Sequence, residues 1–484
     1  MPSRRIKKRR RPIPSTLVVQ LVEHVALQAH ADGEIIASFG GHAVSLGRFS
    51  AAAAARARNL HIGLPIATFA SRRRRSDREI IRLVQRLAQH GLVEYHLRAS
   101  PDGDDQVVIE PQTPDYWPRL PALRSADVLA LSRFAYTRRR GNDMVLETPL
   151  GGAIFRIVDP TIATALAALS TSQKIRQLRR RRAFPGTVLL ALLIDCRILF
   201  KLEGANSIGA RSDEGDNNLV LWDFHDLVFH ARSTIGRHAN PLGASFPYAS
   251  TVPPLPAVRP RWSGRKIDLR KFATAWPQAP MPLAKLLRRR RSTRHFDGTR
   301  PVVLAELAQF LGGAARVIAR STGRIGFAGS ERLVTYTRRP YPSAGGAYEL
   351  ELYLAVDKCE GLPRGFYHYD ADAHALVRIG VAINEVEAQL REAGYAMGVS
   401  ALPPILITLA ARFGRMSWKY SSAAYALVLK DTGVLTQTLY LMAAELGLGG
   451  CAIGQTNIDR FARMTGLEFY AEGPVGQFAL GRGK

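Results

Sequence analysis

Cysteine is scarce in this chain: only Cys196, Cys359 and Cys451 occur among 484 residues, and no two of them have CxxC spacing. This scarcity argues against a disulfide framework and a structural zinc site, and it fits a reducing compartment. No apolar run reaches the roughly 18–20 residues that a membrane-spanning helix needs, and no apolar segment follows the basic N-terminus as in a secretory signal. We therefore expect a cytoplasmic protein with neither a membrane span nor a metal site.

Acidic residues are also few, since 40 Asp and Glu stand against 67 Lys and Arg and leave a formal net charge of +27. Such a charge attracts anions, so nucleic acid, acidic peptides and phosphorylated cofactors are all candidate partners. Arginine runs such as 72–75, 138–140 and 179–182 are typical of solvated turns and helix ends. No predicted helix interleaves aromatic and basic residues as a recognition helix does. We do not expect nucleic acid binding, although a non-enzymatic, basic winged-helix protein that binds nucleic acid stays an alternative.

The chain length suggests about two to four domains. Residues 1–15 are basic and contain several prolines, which predicts a disordered arm. The segments 16–125 and 126–220 share the order hairpin, helices, long helix and strand, which resembles a winged helix-turn-helix. Residues 221–280 include a proline-rich stretch and predict a connecting or wrapping segment. Residues 281–484 alternate helical and strand patterns, and this mix predicts an α+β catalytic domain.

Periodicity predicts the individual elements. Before residue 220, helices are expected at 77–90, 159–169 and 186–196, strands at 33–39, 92–97 and 197–202, a hairpin at 143–157 and an exposed loop at 204–218. In the last domain, helices are expected at 282–291, 303–313, 383–393, 421–447 and 457–465, and strands at 349–356, 365–369, 404–411 and 474–481.

Two clusters in residues 281–484 are suited to binding a phosphorylated, flat ligand. The first, RRRRSTRHF, contains Arg290, Arg291, Ser292 and Arg294. Guanidinium groups and a hydroxyl bind phosphate, although an exposed basic loop would look the same. The second is PSAGG, Pro342–Gly346, whose small residues allow the backbone to approach a flat ligand closely. An ordinary tight turn is the alternative there.

Two further clusters border a long predicted helix. Lys419 and Tyr420 stand at a strand-to-helix junction, where reactive side chains are often displayed, and a surface lysine beside an anchoring tyrosine is the alternative. The segment ELGLGGCAIGQTN, residues 445–457, predicts a glycine-rich turn after the long helix. Such a turn can offer backbone donors to a cofactor ring.

In this order and spacing, the four clusters resemble the nitroreductase-type flavoprotein fold, and most closely the SagB-type dehydrogenases of ribosomal peptide biosynthesis. RRSTRHF resembles the phosphate signature of that family, and YPSAGGAYELELYL resembles its loop at the isoalloxazine ring. GFYHYDADAHAL resembles the hairpin that follows, and WKYSSAAYALVLKDTG with GLGGCAIG resembles its long helix and the next loop. The resemblance extends from about residue 130 onward and is much weaker before it.

The resemblance implies FMN, a homodimer, a precursor peptide substrate, a cyclodehydratase partner, and oxidation of thiazoline or oxazoline rings to thiazoles or oxazoles. It assigns Lys419 and Tyr420 to catalysis. It assigns FMN contacts to Arg290, Arg291, Ser292, Arg294, Pro342, Ser343, Ala344, Gly345, Gly346, Gly450, Ile453, Gly454 and Arg482. The chain departs from some members at Gly433–Val434 and Gln455–Thr456, so its substrate and rate can differ from theirs.

Several questions stay open at this point. Either Lys419 or Tyr420 could be the base, because the free side chains have pKa values of about 10 and a pocket must lower one of them. The N-terminal modules could bind a leader peptide as an added strand or serve only as a scaffold. A general nitro- or quinone reductase that uses NAD(P)H is the alternative enzyme. The spacing of His225, His230 and His238 is poor for a helical zinc pair, so we expect no metal there.

Overall fold

The computed structural model describes residues 15–100, 103–181, 184–202, 219–234, 236–240, 243–272, 280–327 and 330–483. All but one residue of the predicted disordered arm 1–15, and the whole predicted loop 204–218, lie outside the described residues. The chain divides into two compact units, Met1–Pro241 and Leu242–Lys484. Within the described ranges, no helix is both long and apolar enough to cross a bilayer.

The strands of the first unit are β1 (Thr16–Leu21), β2 (Ala26–Ala29), β3 (Glu34–Phe39), β4 (His42–Arg48), β5 (Leu64–Pro65), β6 (Val93–Arg98), β7 (Asp105–Pro111), β8 (Val128–Leu131), β9 (Tyr136–Arg140), β10 (Asp143–Glu147), β11 (Ala153–Ile157), β12 (Gln173–Lys174) and β13 (Leu199–Leu202). Its helices are α1 (Ala51–Ala57), α2 (Arg75–Gln89), α3 (Pro160–Ala167), α4 (Ile175–Leu178), α5 (Thr187–Asp195) and α6 (Phe224–Arg232).

One sheet runs through most of the first unit. Among its described residues, seven strands follow the order β5-β1-β6-β7-β11-β10-β9, and two three-stranded sheets, β2-β3-β4 and β12-β8-β13, flank it. The segments predicted as two modules, 16–125 and 126–220, share this sheet because β7 pairs with β11. The winged-helix assignment and the domain boundaries stay predictions.

Apolar periodicity explains the elements of this unit. α2 buries Ile80, Val84 and Leu87 at helical spacing, and Arg74 N donates to Asp77 Oδ2 at 3.1 Å to cap its first turn. The predicted helix at 77–90 is therefore confirmed. The predicted hairpin at 143–157 is confirmed as the antiparallel pair β10–β11.

The strands of the second unit are β14 (Lys266–Asp268), β15 (Val302–Val303), β16 (Ala319–Phe327), β17 (Ser330–Arg338), β18 (Leu350–Val356), β19 (Cys359–Glu360), β20 (Gly365–Asp370), β21 (Ala375–Ile379), β22 (Ile405–Arg412), β23 (Gly449–Ile453) and β24 (Glu472–Gly481). Its helices are α7 (Leu283–Arg289), α8 (Leu304–Ala315), α9 (Ile383–Met397), α10 (Phe413–Ser417), α11 (Ala424–Glu445) and α12 (Ile458–Thr465).

A sheet with helices on both faces forms the core of the second unit. In the described part of this unit, seven strands follow the order β14-β21-β20-β18-β22-β24-β23. Alternate residues of β22 point to opposite faces: Ile407 and Leu409 pack with α8 and α11, whereas Leu406 and Ala410 pack with α9 and α12. This mixture of helices and sheet confirms the predicted α+β class.

The structure confirms all nine elements predicted in this unit, with ends that differ by up to four residues. The glycine-rich turn predicted after the long helix is confirmed at Leu446 and Gly447, where Gly447 has a φ angle of +66°. It is wrong for Gly449–Ile453, which is strand β23, because β24 pairs with it along its whole length. Long-range pairing with a distant strand therefore outweighs the local preference of glycine for turns. The hairpin β16–β17 has no counterpart among the predicted elements.

Candidate active site

The basic segment after α7 is fixed against β23. Arg290 caps α7, and Ser292 then forms a parallel bridge with Gly450 of β23. Thr293 N donates to Gly450 O at 2.8 Å. The first and fourth predicted clusters, far apart in sequence, therefore meet.

Tyr440 of α11 links these two segments. Its hydroxyl accepts a hydrogen bond from Ala452 N at 2.8 Å and lies 2.8 Å from Ser292 Oγ. Arg290 Cζ lies 5.1 Å from the centre of the Tyr440 ring. When the Tyr440 hydroxyl donates to Ser292 Oγ, the Ser292 O–H is left to donate to an anion.

A cavity of about 340 Å³ opens beside Tyr440, and we call it the basic cradle. Its lining includes the residues Arg289, Arg290, Arg291 and Tyr440 and the glycines 449 and 450. Guanidinium groups of this kind bind phosphate with charge-assisted hydrogen bonds. The cradle can therefore hold the phosphate of a cofactor.

Three predicted phosphate ligands, Ser292, Arg294 and Arg482, lie outside the lining of the basic cradle. Ser292 is instead held by Tyr440, which does line it. Arg482 Nη2 donates to both carboxylate oxygens of Glu306, at 2.7 and 2.8 Å, and the neighbouring Gly483 lines the cradle instead. Arg294 is exposed. The phosphate roles of Arg294 and Arg482 stay predictions.

The loop Pro342–Gly346 is anchored by Asp431 of α11. Ser343 Oγ donates to Asp431 Oδ2 at 2.7 Å, and Ala344 N donates to the same oxygen at 2.9 Å. Tyr348 N in turn donates to Ser343 Oγ at 2.9 Å. One buried carboxylate therefore determines where the loop lies.

Glycine is required in this loop for two reasons. Gly345 and Gly346 have φ angles of +57° and +64°, in the left-handed region that side chains with a Cβ rarely adopt. A Cβ on Gly345 would also collide with the Lys419 amino group and the Tyr420 hydroxyl. The loop and the Lys419–Tyr420 pair are thus in direct contact.

Lys419 and Tyr420 follow α10 and are both half-buried. Lys419 Nζ donates to Gly345 O at 3.0 Å and lies 5.9 Å from the centre of the Tyr336 ring. Burial, with the charge of Arg415, lowers the pKa of Lys419. Burial, with Asp431 and Tyr336, raises the pKa of Tyr420. The two shifts have opposite directions, so the lysine is more easily made neutral and the tyrosine less easily ionised.

Glu349 lies behind the loop and is completely buried. Its Oε2 is 3.3 Å from Ser343 Oγ, which also bonds Asp431. Burial, followed by the charge of Asp431, raises the pKa of Glu349 to about 7. Because burial and the nearby charge of Asp431 both oppose its ionisation, Glu349 keeps its proton up to near neutral pH.

The predicted cofactor contacts on and after β23 are placed differently from one another. Gly450 is buried, and a Cβ there would collide with the Phe478 ring. The Ile453 side chain is buried in the core against α9 and α12, whereas Gly454 is exposed. Ile453 can therefore offer a cofactor its backbone but not its side chain, and these three roles stay predictions.

Sequence reasoning missed the residues that organise the two clusters: Asp431, Tyr440, Glu349 and Arg415. A signal existed for Asp431, since it lies on the same buried face of α11 as Val428 and Leu435, where a lone carboxylate needs partners. Asp431 and Tyr440 are nine residues apart, about 14 Å along a helix. α11 therefore carries both Asp431, which anchors the loop, and Tyr440, which links the two segments at the basic cradle.

The three histidines singled out in the first unit do not come together. His238 Nε2 lies 3.0 Å from Ala88 O, His230 stacks on Trp222, and His225 is exposed beside Asp223. In the part of the chain that the structure describes, no group of His, Cys, Asp and Glu is arranged to hold a metal ion.

Two family models match the chain. The cyanobactin oxidase ThcOx family matches residues 129–239, in the first unit. The nitroreductase family matches residues 287–482, which include the basic cradle, the loop and the Lys419–Tyr420 pair.

Individual proteins are also similar to parts of this chain. A Methanocaldococcus jannaschii protein named as a nitroreductase, MJ1384, is 33% identical over 172 residues, which are 36% of this chain and 78% of that protein. The trifolitoxin-processing protein TfxB of Rhizobium leguminosarum bv. trifolii is 30% identical over 117 residues, 23% of this chain and 31% of that protein. A crystal structure of a Ralstonia eutropha protein named as a nitroreductase has a TM-score of 0.36 and 26% identity, and covers 48% of this chain and 95% of its own.

The match to MJ1384 covers most of that protein at one-third identity, and the matched family model spans every cluster of the candidate site. Members of this family are typically flavin-dependent. The chain therefore belongs to the nitroreductase family and is an oxidoreductase with a nitroreductase-like second unit.

Proposed function

We propose that this protein is an FMN-dependent dehydrogenase that oxidises thiazoline or oxazoline rings of a ribosomally made precursor peptide to thiazoles or oxazoles. The observation that carries the proposal is the contact of Lys419 Nζ with Gly345 O at 3.0 Å, which puts a base at the loop that resembles the ring loop of SagB-type dehydrogenases. The matches to the cyanobactin oxidase family and to TfxB support a modified peptide as the substrate.

The residues of the second unit fit FMN. The basic cradle offers the guanidinium groups of Arg290 and Arg291 to its phosphate, and Tyr440 holds the Ser292 hydroxyl next to the cradle. The two left-handed glycines 345 and 346 leave the backbone of the loop bare toward a flat ring. When bound, FMN supplies the acceptor for a hydride.

Lys419 is the base in this proposal. Oxidation of an azoline removes a proton from one ring carbon and a hydride from the next, and the neutral amine of Lys419 takes the proton. Burial and Arg415 lower the pKa of Lys419, so more of the amine is neutral at a given pH. The ammonium that results keeps its hydrogen bond to Gly345 O.

Tyr420 has a different role. Burial, with Asp431 and Tyr336, raises the pKa of Tyr420, so its hydroxyl keeps its proton and can donate a hydrogen bond to the substrate. Lys419 and Tyr420 are thus a proton acceptor and a hydrogen-bond donor on the same side of the loop.

We further propose that the first unit and the exposed side of α11 bind other proteins. The first unit either binds the leader of the precursor peptide or docks a cyclodehydratase that makes the azoline. A homodimer through α11 is supported by its exposed apolar residues Tyr425, Leu429 and Val434. We further propose that the protein works in the cytoplasm.

The second candidate function is a general reductase of nitro compounds or quinones. It is favoured by the nitroreductase family model and by MJ1384. It gives no role to the segment 129–239, which matches an oxidase family.

The test uses the full-length protein and an azoline-bearing peptide. The visible spectrum reports bound flavin, and mass spectrometry of the peptide reports the loss of two hydrogen atoms. We expect Lys419→Met to keep the flavin spectrum and to slow peptide oxidation by about 10²-fold or more, as for loss of a general base. Lys358→Met, an exposed lysine after β18, is the matched control and should oxidise the peptide normally.

Each other outcome contradicts the proposal in its own way. A colourless protein that retards DNA would favour the nucleic acid alternative. Consumption of NADH with a nitroarene, without peptide turnover, would favour the reductase. Full activity of Lys419→Met would remove Lys419 from the mechanism.

A further inference from the structure

Arg415 of α10 is a buried cation held by backbone carbonyls. Its side chain is 8% exposed. Nε and Nη2 donate to Ala347 O at 3.0 and 2.7 Å, and Nη1 donates to Leu255 O at 2.8 Å. Ala347 follows the loop Pro342–Gly346, and Leu255 belongs to the proline-rich segment before β14. The guanidinium therefore ties the loop to this segment.

The charge of Arg415 is bound without an ion pair. Among the described residues, no carboxylate oxygen lies within ion-pair distance of Arg415. Burial, with the charges of Arg412 and Arg339, lowers the pKa of Arg415 to about 10. The guanidinium is therefore still protonated at neutral pH. Among acidic groups, Glu349 has the largest effect on Arg415 and opposes the lowering of its pKa.

Arg415 and Lys419 border the same small space. Arg415 lies in α10, and Lys419 lies in the turn that follows this helix. With Gly345 and Tyr336 they line a cavity of about 20 Å³, which holds about one water molecule. Little solvent therefore screens the guanidinium from the amine.

The proline-rich segment 246–255 closes this space. Trp418 Nε1 donates to Val252 O at 2.7 Å, and Phe246 N donates to Lys419 O at 3.1 Å. The Phe246 ring packs against Trp418 at 5.4 Å between centres. These contacts fix the segment beside Trp418 and Lys419.

We propose that Arg415 is an electrostatic positioning residue: a carbonyl-bound cation, shielded by the segment 246–255, that holds Lys419 in its neutral, proton-accepting form. Arg415 contacts neither the Lys419 amine nor, in this proposal, the substrate. Lys419 also faces Tyr336, Tyr420 and the Gly345 carbonyl, and none of these carries a positive charge. This proposal depends on the proposed function in one respect, namely that Lys419 is the catalytic base.

The test measures the titration of Lys419 directly, without substrate. Acetic anhydride acetylates only the unprotonated amine, and mass spectrometry gives the acetylation rate of Lys419 against pH, with the exposed Lys358 as the internal reference. We expect Arg415→Gln to raise the Lys419 midpoint by about half to one pH unit, which slows its acetylation about threefold to tenfold below the midpoint. Arg415→Lys, which keeps the charge, should restore the wild-type midpoint.

The pH profile of peptide oxidation provides the second readout. Its acid limb should move to higher pH in Arg415→Gln by the same amount as the acetylation midpoint. A fall in kcat that is equal at every pH, with an unmoved midpoint, would mean that Arg415 only supports the fold. Equal shifts in the Gln and Lys variants would also overturn the proposal.

A second pair of variants covers the case in which Arg415→Gln does not fold. Leu255 is 40% exposed and its side chain lies over Gly414, so Leu255→Glu brings a carboxylate beside Arg415. This carboxylate offsets the cation and should raise the Lys419 midpoint, whereas the neutral Leu255→Gln should not. An unmoved midpoint in Leu255→Glu would refute the proposal, and because no peptide is turned over, this result is distinct from failure of the proposed dehydrogenase activity.

Discussion

Replacement of Glu349 with glutamine should change how the stability of the second unit depends on pH. The pKa of Glu349 rises from 4.5 to about 7 on folding, because the side chain is buried and faces Asp431. The folded protein therefore binds this proton more tightly than the unfolded chain. The tighter proton binding adds about 3 kcal/mol to the free energy of unfolding. This contribution is fully present below about pH 4.5 and is lost as the pH rises to about 7.

A glutamine side chain at this position is neutral at every pH, so the variant cannot lose this contribution. We expect the destabilisation caused by Glu349→Gln to be about 2.5 kcal/mol smaller at pH 8 than at pH 5. Hydrogen exchange of the slowest amides in β18 and β22, followed by mass spectrometry, reports the unfolding free energy of this unit.

Glu360→Gln is the matched control. Glu349 directly precedes β18, and Glu360 is an exposed glutamate in β19, the next strand along the chain. Its effect should be the same at both pH values. A difference between Glu349→Gln and wild type that does not change with pH would refute the reasoning, because Glu349 would then be ionised throughout this range.

Two further predictions concern the loop and the cradle. Gly345→Ala places a Cβ against Lys419 and Tyr420 in a left-handed backbone, so peptide oxidation should fall by at least about tenfold. Gly380→Ala, in open space after β21, is the control and keeps activity, and unchanged steady-state rates in Gly345→Ala would contradict the contact. Tyr440→Phe removes the hydroxyl that joins Ser292 to Ala452, so FMN binding, measured by flavin fluorescence titration, should weaken about tenfold. Tyr395→Phe, at an exposed tyrosine, is the control. An unchanged dissociation constant in Tyr440→Phe would show that this hydroxyl does not organise the basic cradle.

The elements of the second unit could be predicted because local patterns decide them. α9 and α12 follow the apolar period of an amphipathic helix, and β18 and β22 are mostly apolar runs, LELYLAV and ILITLAAR, as expected of buried strands. β23 was not predictable in this way, because its glycines favour a turn and only the partner β24 makes it a strand.

The candidate site could be predicted only in part for the same reason. Sequence motifs located Lys419, Tyr420 and the loop, since these are short and contiguous. The bond between Ser292 and Tyr440 joins residues 148 positions apart, and the bond from Ser343 to Asp431 joins residues 88 positions apart. Such pairs depend on how α11 packs, and no local pattern encodes that packing.

α11 has a consequence for how this protein can evolve. Asp431 and Tyr440 hold two separate parts of the site from a single rigid helix. Insertion of one residue between them would rotate one contact by about 100° relative to the other, so that both could not be satisfied at once. The stretch 432–439 can therefore vary in composition over evolutionary time, but homologues that keep both contacts should conserve its length.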